Sequence, residues 1–347
     1  MPDRFLKLLV TLLTLGCLAV VVGACGDDDS GGSSEGSGTE TAAETPGKPE
    51  AGTFRMGIEP WLGYGPWRIA EDKGLFEENG LDVKITNFTT DDQINAAFAS
   101  GKLEGTNIAT HTALRFAASG LPIKIVLLED LSTTADAIIA SSGVNSITEL
   151  KGKKVAFEEG TTSDILLSYA LAENGMSKDD IQPVPIPAAD AGSAFIAGRV
   201  DAAVTYEPYL TTALKQDKDA KLLYTAGENP GLVGDVFVVS EDTLNEKPGQ
   251  IAALVKTWDA AIDAYEADKP GSQAIIEKSV GAKPGDLKTA FDGVKFYDLA
   301  ENKAQLSGEY VTKTIEDVKQ AATDAGLLEG DVDPKDIIVA DFVEQAG

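Results

Sequence analysis

Two stretches place hydroxyls directly ahead of a helical pattern. Gly160-Thr161-Thr162-Ser163 precedes an amphipathic run that starts at Asp164. Free backbone N–H groups and hydroxyls in that arrangement make either an anion site or a plain helix cap. Thr110-His111-Thr112, ahead of the run from Ala113 to Ser119, offers the same geometry. His111 can there donate or accept at a ligand, or simply close the helix start. A second set is aromatic and acidic. Trp61 and Tyr64 flank Gly63 in a Gly/Pro-broken loop, whereas Trp67 opens a helix and suits the core. Tyr206, Glu207 and Tyr209 follow a later strand and can face them. Glu59, Glu207 and Asp235 set carboxylates beside aromatics at predicted strand ends, an arrangement suited to an amine or quaternary ammonium. In a chain with 56 acids each is equally readable as a solvated strand end. Anion-friendly helix starts together with carboxylates and aromatics suit a zwitterion.

Composition limits the chemistry further. Across 347 residues, 29 Lys and Arg stand against 56 Asp and Glu, a formal charge of −27. A field of that sign excludes nucleic acid and disfavours long-range attraction of anions. Both cysteines, Cys17 and Cys25, precede the body, which therefore forms neither a disulfide nor a thiolate metal site. With His111 as the only histidine, a two-His zinc site is impossible, and no cofactor is called for.

The N-terminus has the form of an export signal over residues 1–24: Arg4 and Lys7, then the apolar run Leu8 to Val22. The run is shorter than the ~20 residues of a membrane span. It ends in Val22-Gly23-Ala24-Cys25, a lipobox pattern that makes Cys25 the lipidated first residue of the mature chain. Residues 25–52 then form a Gly/Ser-rich acidic tether, whose seven acids, Glu50 included, are read as solvated. An anchor, a tether and an acidic domain suggest a captured solute or a surface-displayed enzyme.

The elements that must position these residues alternate. Strands are predicted at 81–85, 123–127, 137–140 and 236–239, a helix at 164–174 ending before Gly175, and a longer helix through Ile251, Leu254, Trp258, Ile262 and Tyr265. The class is α/β with a helical C-terminal part. Ala97-Phe98-Ala99-Ser100-Gly101-Lys102-Leu103-Glu104 recurs 97 residues later as Ala194-Phe195-Ile196-Ala197-Gly198-Arg199-Val200-Asp201. Each copy reads as helix end, glycine turn and strand, delivering a loop from the carboxyl end of that strand, where open α/β sheets bind ligands.

These residues also carry a family likeness. Gly57-Ile58-Glu59-Pro60-Trp61-Leu62-Gly63-Tyr64-Gly65-Pro66-Trp67, Lys73-Gly74-Leu75-Phe76 and Gly80-Leu81-Asp82-Val83 begin an ordered set of matches. Glu149 to Ala156, Glu159-Gly160-Thr161, Ala194 to Tyr206 with Glu207-Pro208, and Asp235 to Val239 continue it. From Phe54 to Asp242 the chain resembles the nitrate/sulfonate/taurine-type binding proteins of ABC importers, whose relatives bind thiamine pyrimidine precursors. The resemblance implies a type 2 periplasmic-binding-protein fold, two α/β lobes around a ligand cleft with two hinge crossings. Lobe 1 is expected at 53–135 and 238–347, and lobe 2 at 136–237. It implies an extracytoplasmic monomer, in the periplasm or at the outer face of the cytoplasmic membrane, that delivers a small molecule to an ABC permease and ATPase. A taurine-like aminosulfonate fits both halves of the site best, with a thiamine pyrimidine precursor or quaternary amine as the alternative. The readings from other classes are a His111-dependent pyrimidine-synthesis-like enzyme and a surface ligand sensor.

Overall fold

In the computed structural model, residues 47–346 are described; the export signal, Cys25 and the tether up to residue 46 lie outside them. Eleven strands form two sheets. The first contains β1 (Thr53–Ile58), β2 (Asp82–Asn87), β3 (Gly105–Ala109), β4 (Ile123–Ser132), β10 (Gly234–Ser240) and β11 (Val294–Phe296), in the order β11-β4-β10-β3-β1-β2. The second contains β5 (Asp136–Ala140), β6 (Lys154–Phe157), β7 (Gln182–Pro185), β8 (Ala202–Tyr206) and β9 (Lys221–Thr225), in the order β7-β6-β8-β5-β9. The architecture is the expected two-lobed α/β fold.

The sequence repeat has a structural counterpart. In the first sheet β3 runs parallel to β1, and β10 is antiparallel beside it. In the second sheet β8 runs parallel to β6, and β5 is antiparallel beside it. Each echoed segment closes a helix, Asp91–Ala99 or Ala188–Ile196, through a left-handed glycine, Gly101 or Gly198, before entering β3 or β8. β3 and β5 are buried at every residue, because helices cover one face and the remaining structure the other.

The chain leaves the first sheet after Ser132 and enters the second at Asp136; it returns between Thr225 and Gly234. β10 lies in the first sheet along its whole length, so the return precedes Gly234, earlier than the expected boundary at 237. Ladder pairing with β3 and β4 decides this, since Gly234 and Asp235 already pair with Leu131 and Asp130.

Two contacts tie the long helix Pro248–Ala267 to the first lobe. Trp258 is fully buried, packs on Trp67 at 4.9 Å between ring centroids, and donates its indole N–H to the Tyr297 carbonyl at 2.9 Å. At the helix start, the Glu50 carboxylate accepts from the N–H groups of Gly249 and Gln250 at 3.0 and 2.8 Å. Glu50 thus caps a helix instead of being solvated; an anion at a helix N-terminus is favourably placed. Truncation of Trp258 to Ala should destabilise the fold by about 3–5 kcal/mol, read as a lower midpoint in urea unfolding.

Candidate functional site

A cavity of about 40 Å³ lies where the two sheets meet at their strand ends. Glu59, Trp61, Tyr64, Asp91, Ala109 and Asp235 line it from the first lobe, and Asp136, Thr161, Thr162 and Tyr206 from the second. Val233 closes it from the returning segment. Trp61 meets Tyr206 edge-on across the cleft, with centroids 5.8 Å apart and planes at 89°. Tyr206 in turn packs on Tyr209 at 5.5 Å.

The wall behind Trp61 and Tyr64 is a polar knot. Asp130 and Asp235 face each other across the β4–β10 ladder. The Trp61 indole N–H donates to both Asp130 oxygens at 3.3 and 3.1 Å. Tyr64 and Asp130 lie close enough to Asp235 to offset part of the rise that its burial causes. Burial is the first cause that raises both aspartates; neighbouring carboxylates add to it, and Asp235 is pushed up to about 8. Gly63 makes the knot possible, because a Cβ there would overlap Trp61 Nε1 and the Asp130 carboxyl.

The other lining acids show the same pressure. Asp91 is raised to about 7 by burial and then by Glu158 and Asp92, against a lowering pull from Arg115. Asp136 is raised to about 7 by burial, although its backbone N–H and side chain are both served by Ser132. Glu59 is raised well above the usual carboxylate range by burial and by Asp91, Glu158 and Asp235. Among the described residues, no lysine or arginine lines the cavity.

Of the two helix starts expected to receive an anion, the one at Gly160–Ser163 is engaged within the protein, whereas the helix Thr110–Ala118 carries no side-chain cap. At the helix Thr162–Glu173, the Gly160 N–H donates to Asp164 at 2.9 Å and the Ser163 N–H to Thr161 Oγ1 at 3.3 Å. Thr161 and Thr162 reach the cavity, but Gly160 and Ser163 do not line it. The Gly160 carbonyl accepts from Arg115 across the cleft, and His111 also bonds to the Gly160 backbone. Glu158 accepts from the Ala188 N–H at 3.0 Å and from the Asp91 backbone N–H, so one carboxylate of the second lobe closes two helix starts.

Four expected ligand contacts therefore have other roles. His111 is buried outside the cavity lining, and its pKa is lowered to about 3 by burial first and Arg115 second, which leaves it neutral. Thr112 sits 3.4 Å from the His111 ring. Thr110 donates to the Gly234 carbonyl at 3.0 Å and shares a 3.0 Å hydrogen bond with the Tyr310 hydroxyl from a C-terminal helix. Glu207 accepts from the N–H and hydroxyl of Thr211 at 3.0 and 2.7 Å, capping the helix Tyr209–Gln216. Trp67 is core, as its position suggested, with its N–H on Asn107 and Glu129. Sequence reasoning missed Asp91 and Asp136. Asp91 had a signal, an acid one residue after Thr90 at a helix start; Asp136 had only its place at the crossing.

The family model described as NMT1/THI5 like matches residues 64–270, more than half of the chain. The chain belongs to the NMT1/THI5-like family. Among curated relatives of this family member, a Brucella abortus protein described as a binding protein is 28% identical over 297 residues, covering 82% of this chain and 89% of that protein. The taurine-binding periplasmic protein of Escherichia coli is 25% identical over 274 residues, covering 76% and 84%. The alkanesulfonate-binding protein of Xanthomonas axonopodis pv. citri, solved with MOPS, superposes with a TM-score of 0.71 at 22% identity, over 84% of this chain and 99% of that one. This likeness identifies the fold as that of periplasmic binding proteins.

Two outcomes follow from the site. Asp136 and Asp235 hold protons in the folded state up to about pH 7 and 8, whereas in the unfolded chain they lose them near 3.8. The native state therefore binds more protons across that window, and stability falls as pH rises through it. Thermal unfolding of the ligand-free protein should show the midpoint dropping from about pH 5 to about pH 8.5, with a shallower fall in Asp136→Asn. Gly63→Ala should cost about 1–3 kcal/mol in chemical denaturation by forcing Trp61 off Asp130.

Proposed function

We propose that this protein is an extracytoplasmic solute-binding lipoprotein, anchored through Cys25, that captures a small polar organic molecule by closing its lobes and delivers it to an ABC permease. The observation that carries this reading is the cavity at the junction of two lobes, lined from both and bounded by two chain crossings. Contacts made only when the lobes meet, Trp61 on Tyr206, Arg115 on Gly160 and Glu158 on Asp91, supply the closing interactions. Hinge motion about residues 133–135 and 226–233 would open and close the cavity. The names of the relatives support capture rather than turnover, and the enzymatic reading loses its only candidate, since His111 is neutral and outside the cavity.

For an aminosulfonate such as taurine, the carboxylates and aromatics support the amino end. Of the two helix starts expected to hold the sulfonate, the one at Gly160 is closed by Asp164, and the one at Thr110 has no side-chain cap. Two experiments test the reading. Protein isolated from its native membrane, denatured and analysed by mass spectrometry should release one predominant small molecule. Adding that molecule back to emptied protein should reduce the radius of gyration in X-ray scattering; an empty protein whose scattering responds to no solute would count against capture. For the anchor, Cys25→Ser should abolish labelling by a fatty-acid probe and move the protein from the membrane to the soluble fraction. Retention on the membrane would remove the lipoprotein assignment.

A further inference from the structure

We propose that the cleft is built for a small organic cation with an ammonium or amidinium centre, and that simple sulfonates are not its ligands. This rests on the solute-capture reading and deepens it to a ligand chemistry. Glu59, Asp91, Asp136 and Asp235 line the cavity together with Trp61, Tyr64 and Tyr206. Arg115, near enough to act on Asp91, is turned onto the Gly160 carbonyl and does not line the cavity.

The independent observation is at Glu59. Its side chain is only 9% exposed, it lines the cavity, and Oε1 has no hydrogen-bond partner. A buried carboxyl oxygen without a donor is costly, and the cavity is the direction from which a donor can come. A ligand N–H or positive centre there satisfies Glu59 and relieves the repulsion among its neighbours. Trp61, Tyr64 and Tyr206 add aromatic rings, whose faces favour a desolvated cation. An anion meets the opposite conditions, because, among the described residues, four carboxyl side chains and no lysine or arginine line the cavity. A metal ion is a poorer fit than an organic cation. Among the described residues, no three acidic, histidine or cysteine side chains are grouped closely enough to hold one.

The test uses the full-length chain, emptied of solute, with calorimetric titration and thermal shift. The probes are methylammonium, guanidinium and tetramethylammonium chlorides, against sodium chloride at equal ionic strength, sodium methanesulfonate and calcium chloride. The organic cations should raise the midpoint with increasing concentration, while methanesulfonate and calcium should match sodium chloride. Glu59→Gln keeps the shape and removes the ionisable carboxyl. It should melt at or above the parent temperature, which verifies folding, yet bind methylammonium about tenfold more weakly or worse. Asp91→Asn should weaken binding in the same direction. Organic cations that act no differently from sodium, a larger response to calcium, or unchanged binding by folded Glu59→Gln would each overturn the cation assignment. A response to methanesulfonate alone, or a native solute without a positive centre, would overturn it while leaving solute capture standing. No response to any probe together with no native solute would remove both.

Discussion

Where the ends of β3, β4, β5 and β10 converge, Glu59, Asp130, Asp136 and Asp235 are taken out of water with no lysine or arginine among the cavity-lining residues. Removing a carboxylate from water without a counter-ion is among the costliest arrangements in a protein, and such groups respond by keeping their protons or gathering donors. Both responses are present. Burial holds the Asp130 and Asp235 carboxyls above the usual range, and Trp61, Tyr64 and Ser132 turn donors toward the acids. Gly63 is glycine because the indole and the Asp130 carboxyl occupy the space of a side chain. The local backbone, aromatic wall and protonation states thus follow from one constraint.

The same constraint explains how the lobes use their helix starts. Partial positive charge at a helix N-terminus is the resource that binding proteins of this shape can offer an anion. At three helix starts it is matched by internal carboxylates: Asp164 for Gly160, and Glu158 for Ala188 and Asp91. These bonds hold the lobes and loops together, and they leave the cavity facing acids and aromatic rings. The negative charge of the whole chain, −27, therefore has a concentrated local expression in the cleft.

Much of the fold was legible because its signals are local. Alternating strand and helix patterns, glycine turns at Gly101 and Gly198, and the repeated helix–turn–strand segment reflect backbone geometry that neighbouring residues impose. The aromatic half of the site was legible for the same reason, since Trp61 and Tyr64 flank a glycine in one short loop. The roles of Thr110, His111, Thr112 and Glu207 were not. Thr110 is satisfied by Gly234 and Tyr310, 124 and 200 residues away, partners that no local pattern reveals. Glu207 shows the opposite error, a local cap four residues long that its aromatic neighbours made resemble a ligand contact.

The sequence by itself determined the fold class, the family, the absence of cysteine or multi-histidine chemistry in the body, and the excess of acids. All of these follow from residue types and short spacings. Only the tertiary structure decided which acids count. Glu59, Asp91, Asp136 and Asp235 come from four separate segments and differ from the other carboxylates of the chain by lining the cavity. The physical reason is that a carboxyl group's protonation and its need for a partner depend on water and charge within a few ångströms, and chain folding sets those neighbours.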